Sequence, residues 1–348
     1  MSAPADRVSS SSGATLAHVT VTAGAPTAGL PPTPLVRLSL LARSRLVLDI
    51  DPGYAAAFRE ILPPPVEAGH AQPAAHVRVA RDAGALVPPE APGRPPVLRL
   101  GRVGLWTSAA GAPYALLRSD NGRVSGTLEL ESRRSRISIA ERAGDLRDAV
   151  SAFSIAVPLL LGRLGHVLVH AGAVIAPDGT AFLVVGDSRS GKSSTIATLI
   201  AGGWDYLSDD QLVLSPGPDG DTVVVEGWRS TFHLDAGWKD RVVTGDRVSV
   251  DPTTLGAGRW RRTAVLGGLL LSQVVDDSTH LRALGSADAF AAVVRQSPWV
   301  MADRVVAPHL VSLLRRVAAM PAARLILGED SYAHPERLIP IVRAALGS

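Results

Sequence analysis

The feature that most constrains the fold of this chain is the octapeptide Gly186-Asp187-Ser188-Arg189-Ser190-Gly191-Lys192-Ser193. It matches the pattern G-x-x-x-x-G-K-[ST] at every fixed position. An apolar segment, residues 182–185, precedes it, and a segment of helical pattern, residues 192–201, follows it. The order of strand, glycine-rich loop and helix is typical of a phosphate-binding loop. A chance match in a chain with 33 glycines is the competing interpretation, and the agreement of the three segments argues against it.

The chemistry of phosphate binding explains the spacing of this motif. Glycines let the backbone curl so that successive N–H groups point at phosphate oxygens, and the following helix N-terminus adds partial positive charge. Lys192 would neutralise the β- and γ-phosphates, and the Ser193 hydroxyl would coordinate Mg²⁺. We expect the lysine to be exposed when the loop is empty. The predicted nucleotide-binding residues are Gly186, Asp187, Ser188, Arg189, Ser190, Gly191, Lys192, Ser193 and Ser194.

Two adjacent aspartates, Asp209 and Asp210, follow a short predicted strand at residues 204–207. If helix 192–201 returns the chain in a right-handed crossover, this strand lies parallel to and beside strand 181–185. Both strands then end at one edge of the sheet, next to the loop. One carboxylate would bind Mg²⁺ and the other would accept the proton of an acceptor hydroxyl. The sequence does not assign the two roles, and a solvated Ser-Asp-Asp turn is the alternative.

His170 is a further candidate catalytic residue. If residues 166–175 and 181–186 form an antiparallel hairpin, the numbers of two residues that face each other add up to about 355. This register places His170 opposite Val185. The imidazole would then reach the γ-phosphate region or tune the aspartate base. A hydrogen-bonded core histidine is the alternative interpretation.

The rest of the sequence predicts two further units. Residues 1–34, rich in Ser, Ala, Gly and Pro, are expected to form a flexible leader. Residues 35–140 predict a small mixed α+β domain with a hairpin at Asn121-Gly122. Residues 141–348 contain the loop and begin with a helix at 146–164 that would bridge the two domains.

Two local features of the last unit are also predicted. Ser286 is expected to cap a helix over residues 287–295. The basic segment Arg259-Trp260-Arg261-Arg262 is interpreted as a mobile solvated loop, with a role in holding the acceptor as the alternative.

Composition excludes several functional classes. The formal charge is +3, from 35 basic and 32 acidic residues, and aromatic residues are only 4%, which argues against a nucleic-acid-binding protein. The chain has no cysteine, hence no disulfide, thiolate metal site or cysteine nucleophile. Charged and imidazole side chains and a proline interrupt the longest apolar stretch, residues 149–176, so no membrane span is expected. The N-terminus lacks the apolar core of a secretory signal, which favours a cytoplasmic protein.

Together these segments resemble the catalytic domain of HPr kinase/phosphorylase, a phosphate-loop fold related to phosphoenolpyruvate carboxykinase. The matching text is residues 169–174, 185–194, 202–204 and 207–210. The resemblance implies an α/β P-loop kinase domain over residues 141–348, beside the smaller N-terminal mixed domain. It implies transfer of phosphate from ATP, with Mg²⁺, to a protein serine. The active-site roles fall on His170, Lys192, Ser193, Asp209 and Asp210.

The chain departs from this family in three ways. Arg189 stands where the family usually has glycine, the arginine- and glycine-containing signature after the aspartates is missing, and residues 35–140 do not resemble the regulatory domain. The chain therefore looks like the divergent HPr-kinase-like proteins found near peptide-modifying and polysaccharide biosynthesis genes.

The expected function is an ATP-dependent serine kinase acting on a peptide or small protein, such as a ribosomal natural-product precursor. The peptide would approach an open sheet edge at the aspartates. A small-molecule hydroxyl kinase and a nucleotide-gated regulatory ATPase are the alternatives. Neither nucleic acid nor a membrane is an expected partner, and homo-oligomer formation stays open.

Overall fold

The computed structural model describes residues 20–22, 35–59, 62, 65–66, 73–81, 95–107, 114–139, 145–228, 232–238, 246–275, 278–328 and 330–346. Within these ranges the protein is a mixed α/β structure with two large mixed sheets, one two-stranded sheet and seven α-helices. None of these helices has both the length and the apolar character needed to cross a membrane.

The first sheet is N-terminal and contains the first nine described strands of the chain. They are β1 (Thr20–Thr22), β2 (Leu35–Ser39), β3 (Leu46–Ile50), β4 (Ala75–Arg81), β5 (Leu98–Leu100), β6 (Val103–Thr107), β7 (Tyr114–Ser119), β8 (Val124–Glu129) and β9 (Arg134–Ile139). Their spatial order is β1-β2-β3-β4-β9-β8-β7-β6-β5, with β3, β4 and β9 parallel to one another. The predicted turn at Asn121-Gly122 joins β7 to β8, and Gly122 has the positive φ of 69° that such a turn favours.

The flexible leader at residues 1–34 stays a prediction, and one short segment of it is described. Thr20–Thr22 forms a strand that pairs with β2, because this Thr-Val-Thr segment has high β-propensity and finds an unpaired sheet edge. Residues 1–19 and 23–34, the rest of the predicted leader, lie outside the described residues.

Two helices pack on the first sheet, α1 (Pro52–Arg59) and α2 (Asp145–Gly162). The apolar face of α2 shares one buried core with β3, β4 and β6 to β9, and the ring of Phe153 lies 5.3 Å from that of Phe58. The predicted helix at 146–164 is therefore present, and most of its burial is against the N-terminal sheet. A domain boundary at residue 140 stays a prediction.

The second sheet contains the predicted loop. The described strands of this half are β10 (Val167–Val169), β11 (Gly172–Ile175), β12 (Thr180–Val185), β13 (Asp205–Ser208), β14 (Leu212–Pro216), β15 (Val223–Gly227), β16 (Phe232–Asp235), β17 (Arg247–Val250), β18 (Thr263–Val274), β19 (His280–Ala283) and β20 (Ala322–Leu327). The main order is β10-β14-β15-β18-β12-β11-β13, with β20 beside β18 and β19 beside β20. Strands β16 and β17 form a separate hairpin.

The second sheet curls strongly. Only two residues join β10 to β11, so the facing ends of these strands lie within about 11 Å of each other. In a flat sheet the four strands between them would hold them about 24 Å apart. The curled sheet encloses a core of Val, Leu and Ala side chains on its inner face.

Helices cover both faces of the second sheet. They are α3 (Lys192–Ala201), α4 (Ser286–Arg295), α5 (Ala307–Ala318), α6 (Asp330–Ala333) and α7 (Leu338–Leu346). Helices α3 and α7 share a core with Trp204 and Tyr206 on one face, and α4 and α5 pack into the core of the other. Helix α3 has the predicted bounds. Ser286 is the first residue of α4 and Gly285 occupies the cap position, one residue before the predicted cap.

Two predictions of strand arrangement need correction. Strand β13 runs in the same direction as β12, but β11 lies between them, so they are not neighbours. The hairpin of β11 and β12 begins at Gly172, which pairs with Val184, a shift of one residue from the predicted register. His170 lies outside the hairpin, because the chain bends there to leave β10, which pairs with β14.

The lateral edge of β13 is covered by the basic segment. Tyr206 accepts a backbone hydrogen bond from Arg261 and donates one to Arg259, while Asp205 binds the Arg261 guanidinium at 2.7 Å. The expectation of a mobile loop at Arg259–Arg262 is therefore wrong, and a peptide cannot add as a strand at this edge.

Candidate active site

The topology brings three predicted segments to one edge of the second sheet. Strands β12 and β13 both end there, and β11, antiparallel to both, begins there. The loop after Val185, the aspartates after Ser208 and His170 before β11 are therefore close together. The predicted meeting of these residues is observed, although the crossover passes over β11 rather than joining neighbouring strands.

The loop between β12 and α3 depends on glycine at two positions. Gly186 has a φ of 155°, and a Cβ there would lie 2.3 Å from Ser190 Oγ and 2.7 Å from the Ser272 carbonyl oxygen. Gly191 has a φ of 88°, and its Cβ would lie 2.3 Å from a methyl group of Leu327. A hydrogen-bond distance of 3.1 Å separates the hydroxyls of Ser190 and Ser272. The loop is therefore tightly curled and anchored to β18.

Lys192 is buried inside the loop, with 8% of its surface exposed. Its Nζ donates to the carbonyl oxygens of Gly186 at 2.8 Å and Asp187 at 2.9 Å. Burial lowers the pKa of the lysine, and the negative charges of Asp210 and Asp187 oppose this shift. The expectation of an exposed lysine is wrong, since the loop carbonyls bind the ammonium group inside the loop.

The remaining loop residues differ in exposure. Asp187, Ser188 and Arg189 are exposed, while Ser193 and Ser194 are half-buried in the first turn of α3. Their position at a helix N-terminus places backbone N–H groups and the positive end of the helix dipole at the loop.

The two aspartates have different environments. Asp209 is buried, with 3% exposure, and its Oδ2 accepts a hydrogen bond of 3.3 Å from the backbone N–H of His233 in β16. The side chain of Asp210 is 23% exposed, and its Oδ1 lies 3.1 Å from His170 Nδ1. Buried Ser208 holds the turn after β13, because its hydroxyl accepts the backbone N–H of Asp210 and of Gln211.

His170 is held by its backbone as well as by its ring. Its N–H donates to the carbonyl oxygen of Gln296 at 2.8 Å, and its side chain is 43% exposed. The alternative of a core histidine is thereby excluded, because the imidazole faces solvent at the aspartate pair.

Three residues at this site were not predicted from sequence. Gln296 binds His170 and lies 3.5 Å from an Asp187 carboxylate oxygen through its Nε2. His233 contacts Asp209, and Arg247 donates to the His233 carbonyl oxygen and adds positive charge that lowers the pKa of Lys192. No motif marks them, because they come from the residue that follows α4 and from the β16–β17 hairpin, far along the chain.

The residues present fit a nucleoside triphosphate and Mg²⁺. The loop has no room for a Cβ at Gly186 or Gly191, so its backbone can curl tightly enough to surround a phosphate. The Lys192 ammonium group is bound by backbone carbonyl oxygens, and phosphate oxygens can take their place. Ser193, Asp209 and Asp210 supply oxygen ligands, the type that Mg²⁺ prefers. Among the described residues, no group of three or more His, Asp or Glu side chains is arranged as a metal site. Mg²⁺ typically binds through one or two carboxylates together with substrate phosphates.

Comparison with known proteins adds little. No family model matches the chain, and no curated protein matches it in sequence. Among solved structures, the chain is similar to the Hpr(Ser) kinase/phosphatase from Coxiella burnetii, at 11% identity and a TM-score of 0.29, over 52% of this chain and 99% of that one. A likeness at this level transfers neither fold nor activity to this chain.

Proposed function

We propose that this protein is an Mg²⁺-ATP-dependent kinase that phosphorylates a serine hydroxyl of a peptide or small protein. The observation that carries the proposal is the contact of the Asp210 carboxylate with the His170 imidazole, 3.1 Å apart and partly exposed, beside a glycine-dependent loop with a buried lysine. Phosphoryl transfer rests mainly on positioning and electrostatics, and this set provides a phosphate cradle, a cation and a carboxylate base.

The different environments of the aspartates support a division of roles. Asp210 is the proposed base, because it is accessible and His170 holds its carboxylate. Asp209 is the proposed Mg²⁺ ligand together with Ser193, because it is buried and fixed by the backbone of β16. When bound, Mg²⁺ neutralises phosphate charge.

In the proposed reaction, the acceptor hydroxyl oxygen forms a bond to the γ-phosphorus, and the bond from that phosphorus to the β–γ bridging oxygen breaks. Asp210 accepts the hydroxyl proton, and ADP leaves with the bridging oxygen. Lys192 exchanges its loop carbonyl partners for phosphate oxygens. His170 orients the Asp210 carboxylate throughout.

The test is phosphotransfer by the purified protein with Mg²⁺-ATP and peptides encoded near its own gene, read by mass spectrometry as the gain of one phosphate. Free serine and simple alcohols are included as acceptors. We expect Asp210→Asn to lower kcat by about 10²–10⁴. Asp209→Asn should instead raise the Mg²⁺ concentration needed for half-maximal rate.

Two further variants complete this experiment. Lys192→Ala should abolish ATP binding, measured by calorimetry. Asp178→Asn, which removes an exposed carboxylate at the opposite end of the β11–β12 hairpin, should leave the rate unchanged. Near-normal transfer by both aspartate variants would refute the mechanism. Phosphorylation of free serine or simple alcohols alone would replace the peptide kinase by a small-molecule kinase.

A further inference from the structure

A cavity of about 490 Å³ lies between the loop, the carboxyl end of β18 and helix α4. Its volume is typical of small-ligand sites. Three arginines line it, Arg189 from the loop, Arg295 from α4 and Arg324 from β20, together with Asp187 and Asp288. We call this cavity the arginine pocket.

The charge of the arginine pocket favours an anionic ligand. Three arginines and two aspartates line the pocket, so its lining has an excess of positive charge. Arg324 is half-buried and its Nη1 lies 3.4 Å from the Gln273 side-chain oxygen, which holds it on the wall. Within the described part of the chain, neither Arg189 nor Arg295 forms an ion pair with a carboxylate. A guanidinium group without a carboxylate partner can bind a carboxylate or phosphate with two parallel hydrogen bonds.

The backbone of Arg189 supports a role for its side chain. Arg189 has a φ of 64°, a conformation that is unfavourable for residues with a Cβ and natural for glycine. Residues held in such conformations cluster at functional sites. Here the residue in the unfavourable conformation is one that lines the arginine pocket.

The position of the pocket favours the acceptor over the nucleotide. Residues 186–190 of the loop line it, while Lys192 and the N-terminus of α3, which carry the positive charge of the proposed phosphate site, do not. Gln296 lines the pocket and also binds the backbone of His170, the partner of Asp210. The pocket therefore adjoins the proposed base.

We propose that the arginine pocket binds a carboxylate-bearing side chain or terminus of the acceptor, so that the kinase selects acidic peptides. This inference rests on the proposed function and specifies its substrate. Arg295 and Arg324 are the proposed recognition residues, with Arg189 as the third.

The test measures binding separately from transfer. Fluorescein-labelled serine peptides that differ only in carrying Glu or Lys beside the serine are titrated with the protein and a non-hydrolysable ATP analogue, and anisotropy gives Kd. We expect the Glu peptide to bind at least about 10-fold more tightly, as one lost charged contact implies. Arg295→Gln and Arg324→Gln should each remove most of this preference while the Kd for ATP stays the same. Arg282→Gln is the matched control, since Arg282 pairs with Arg324 across β19 and β20 but is exposed outside the pocket.

The outcomes separate the two proposals. Equal binding of the Glu and Lys peptides, absence of peptide binding, or a preference unchanged in Arg295→Gln and Arg324→Gln would overturn the acceptor pocket. A loss of ATP affinity in those variants would also overturn it, because the pocket would then hold nucleotide. Binding of acidic peptides without any phosphate gain in the mass spectrum would contradict the kinase proposal and leave the acceptor pocket supported.

Discussion

At the scale of single residues, the loop combines two opposite uses of backbone conformation. Gly186 and Gly191 adopt positive φ where any Cβ would clash with neighbouring atoms. Arg189 adopts positive φ with a side chain present, and this exposed residue lines the arginine pocket. Glycine avoids the steric strain of a Cβ at positive φ at residues 186 and 191, whereas Arg189 carries that strain.

This contrast predicts the effect of two substitutions at position 189. Arg189→Gly and Arg189→Ala both remove the guanidinium, but only glycine adopts a φ of 64° without Cβ strain. We expect Arg189→Gly to be more stable than Arg189→Ala by about 1 kcal/mol, after the larger unfolded-state entropy of glycine is subtracted. Urea unfolding of both variants measures this difference. Equal midpoints would show that the loop relaxes around a Cβ at no cost.

At the scale of elements, β11 is the strand that assembles the site. It separates β12 from β13 and pairs with both, so its register sets the distance between the loop and the aspartates. Gly172 begins this strand and packs against α3 and the Asp209 backbone.

Gly172→Ala tests this role of β11. The new Cβ would lie 2.0 Å from Ile196 Cδ1 and 3.0 Å from Asp209 Cα, so the Ile196 side chain must rotate within the core and the Asp209 backbone must shift slightly. We expect a loss of about 1–3 kcal/mol in the free energy of unfolding, as for overpacked cores, together with a lower rate of phosphotransfer. Gly285→Ala is the control, because its Cβ meets no atom within 4 Å and its φ is −68°. A Gly172→Ala variant as stable and active as that control would contradict the role of β11.

At the scale of the whole molecule, polar contacts join the two sheets. The buried Glu226 of β15 accepts the backbone N–H of Ala42, at 2.8 Å, and of Arg43. His166, just before β10, has its Nδ1 2.7 Å from Ser44 Oγ. Both contacts link the turn between β2 and β3 to the second sheet.

His166 predicts how this connection responds to acid. Burial, aided by the charge of Arg43, lowers the pKa of His166 from 6.5 to about 4. The unfolded chain therefore takes up a proton below pH 6.5 that the folded protein resists, and stability falls as pH drops from 6.5 through 4. The expected loss is about 3 kcal/mol. Urea unfolding at several pH values should show this loss of stability in the wild type and a smaller loss in His166→Asn. The control is His309→Asn, at an exposed site, which should show the same loss as the wild type. The same pH dependence in His166→Asn would contradict this assignment.

Local sequence was sufficient for the features whose physical causes are local. The motif at 186–193 with its flanking apolar and helical segments predicted the bounds of α3, and Asn121-Gly122 predicted a turn, because glycine placement and hydrophobic periodicity act within a few residues. The aspartate pair was found in the same way. Long-range pairing was decided only in the folded chain. The insertion of β11 between β12 and β13, the burial of Lys192 among loop carbonyls and the arrival of Gln296 at His170 depend on contacts between distant segments. Such contacts are set by the packing of the curled sheet, and no local pattern encodes them.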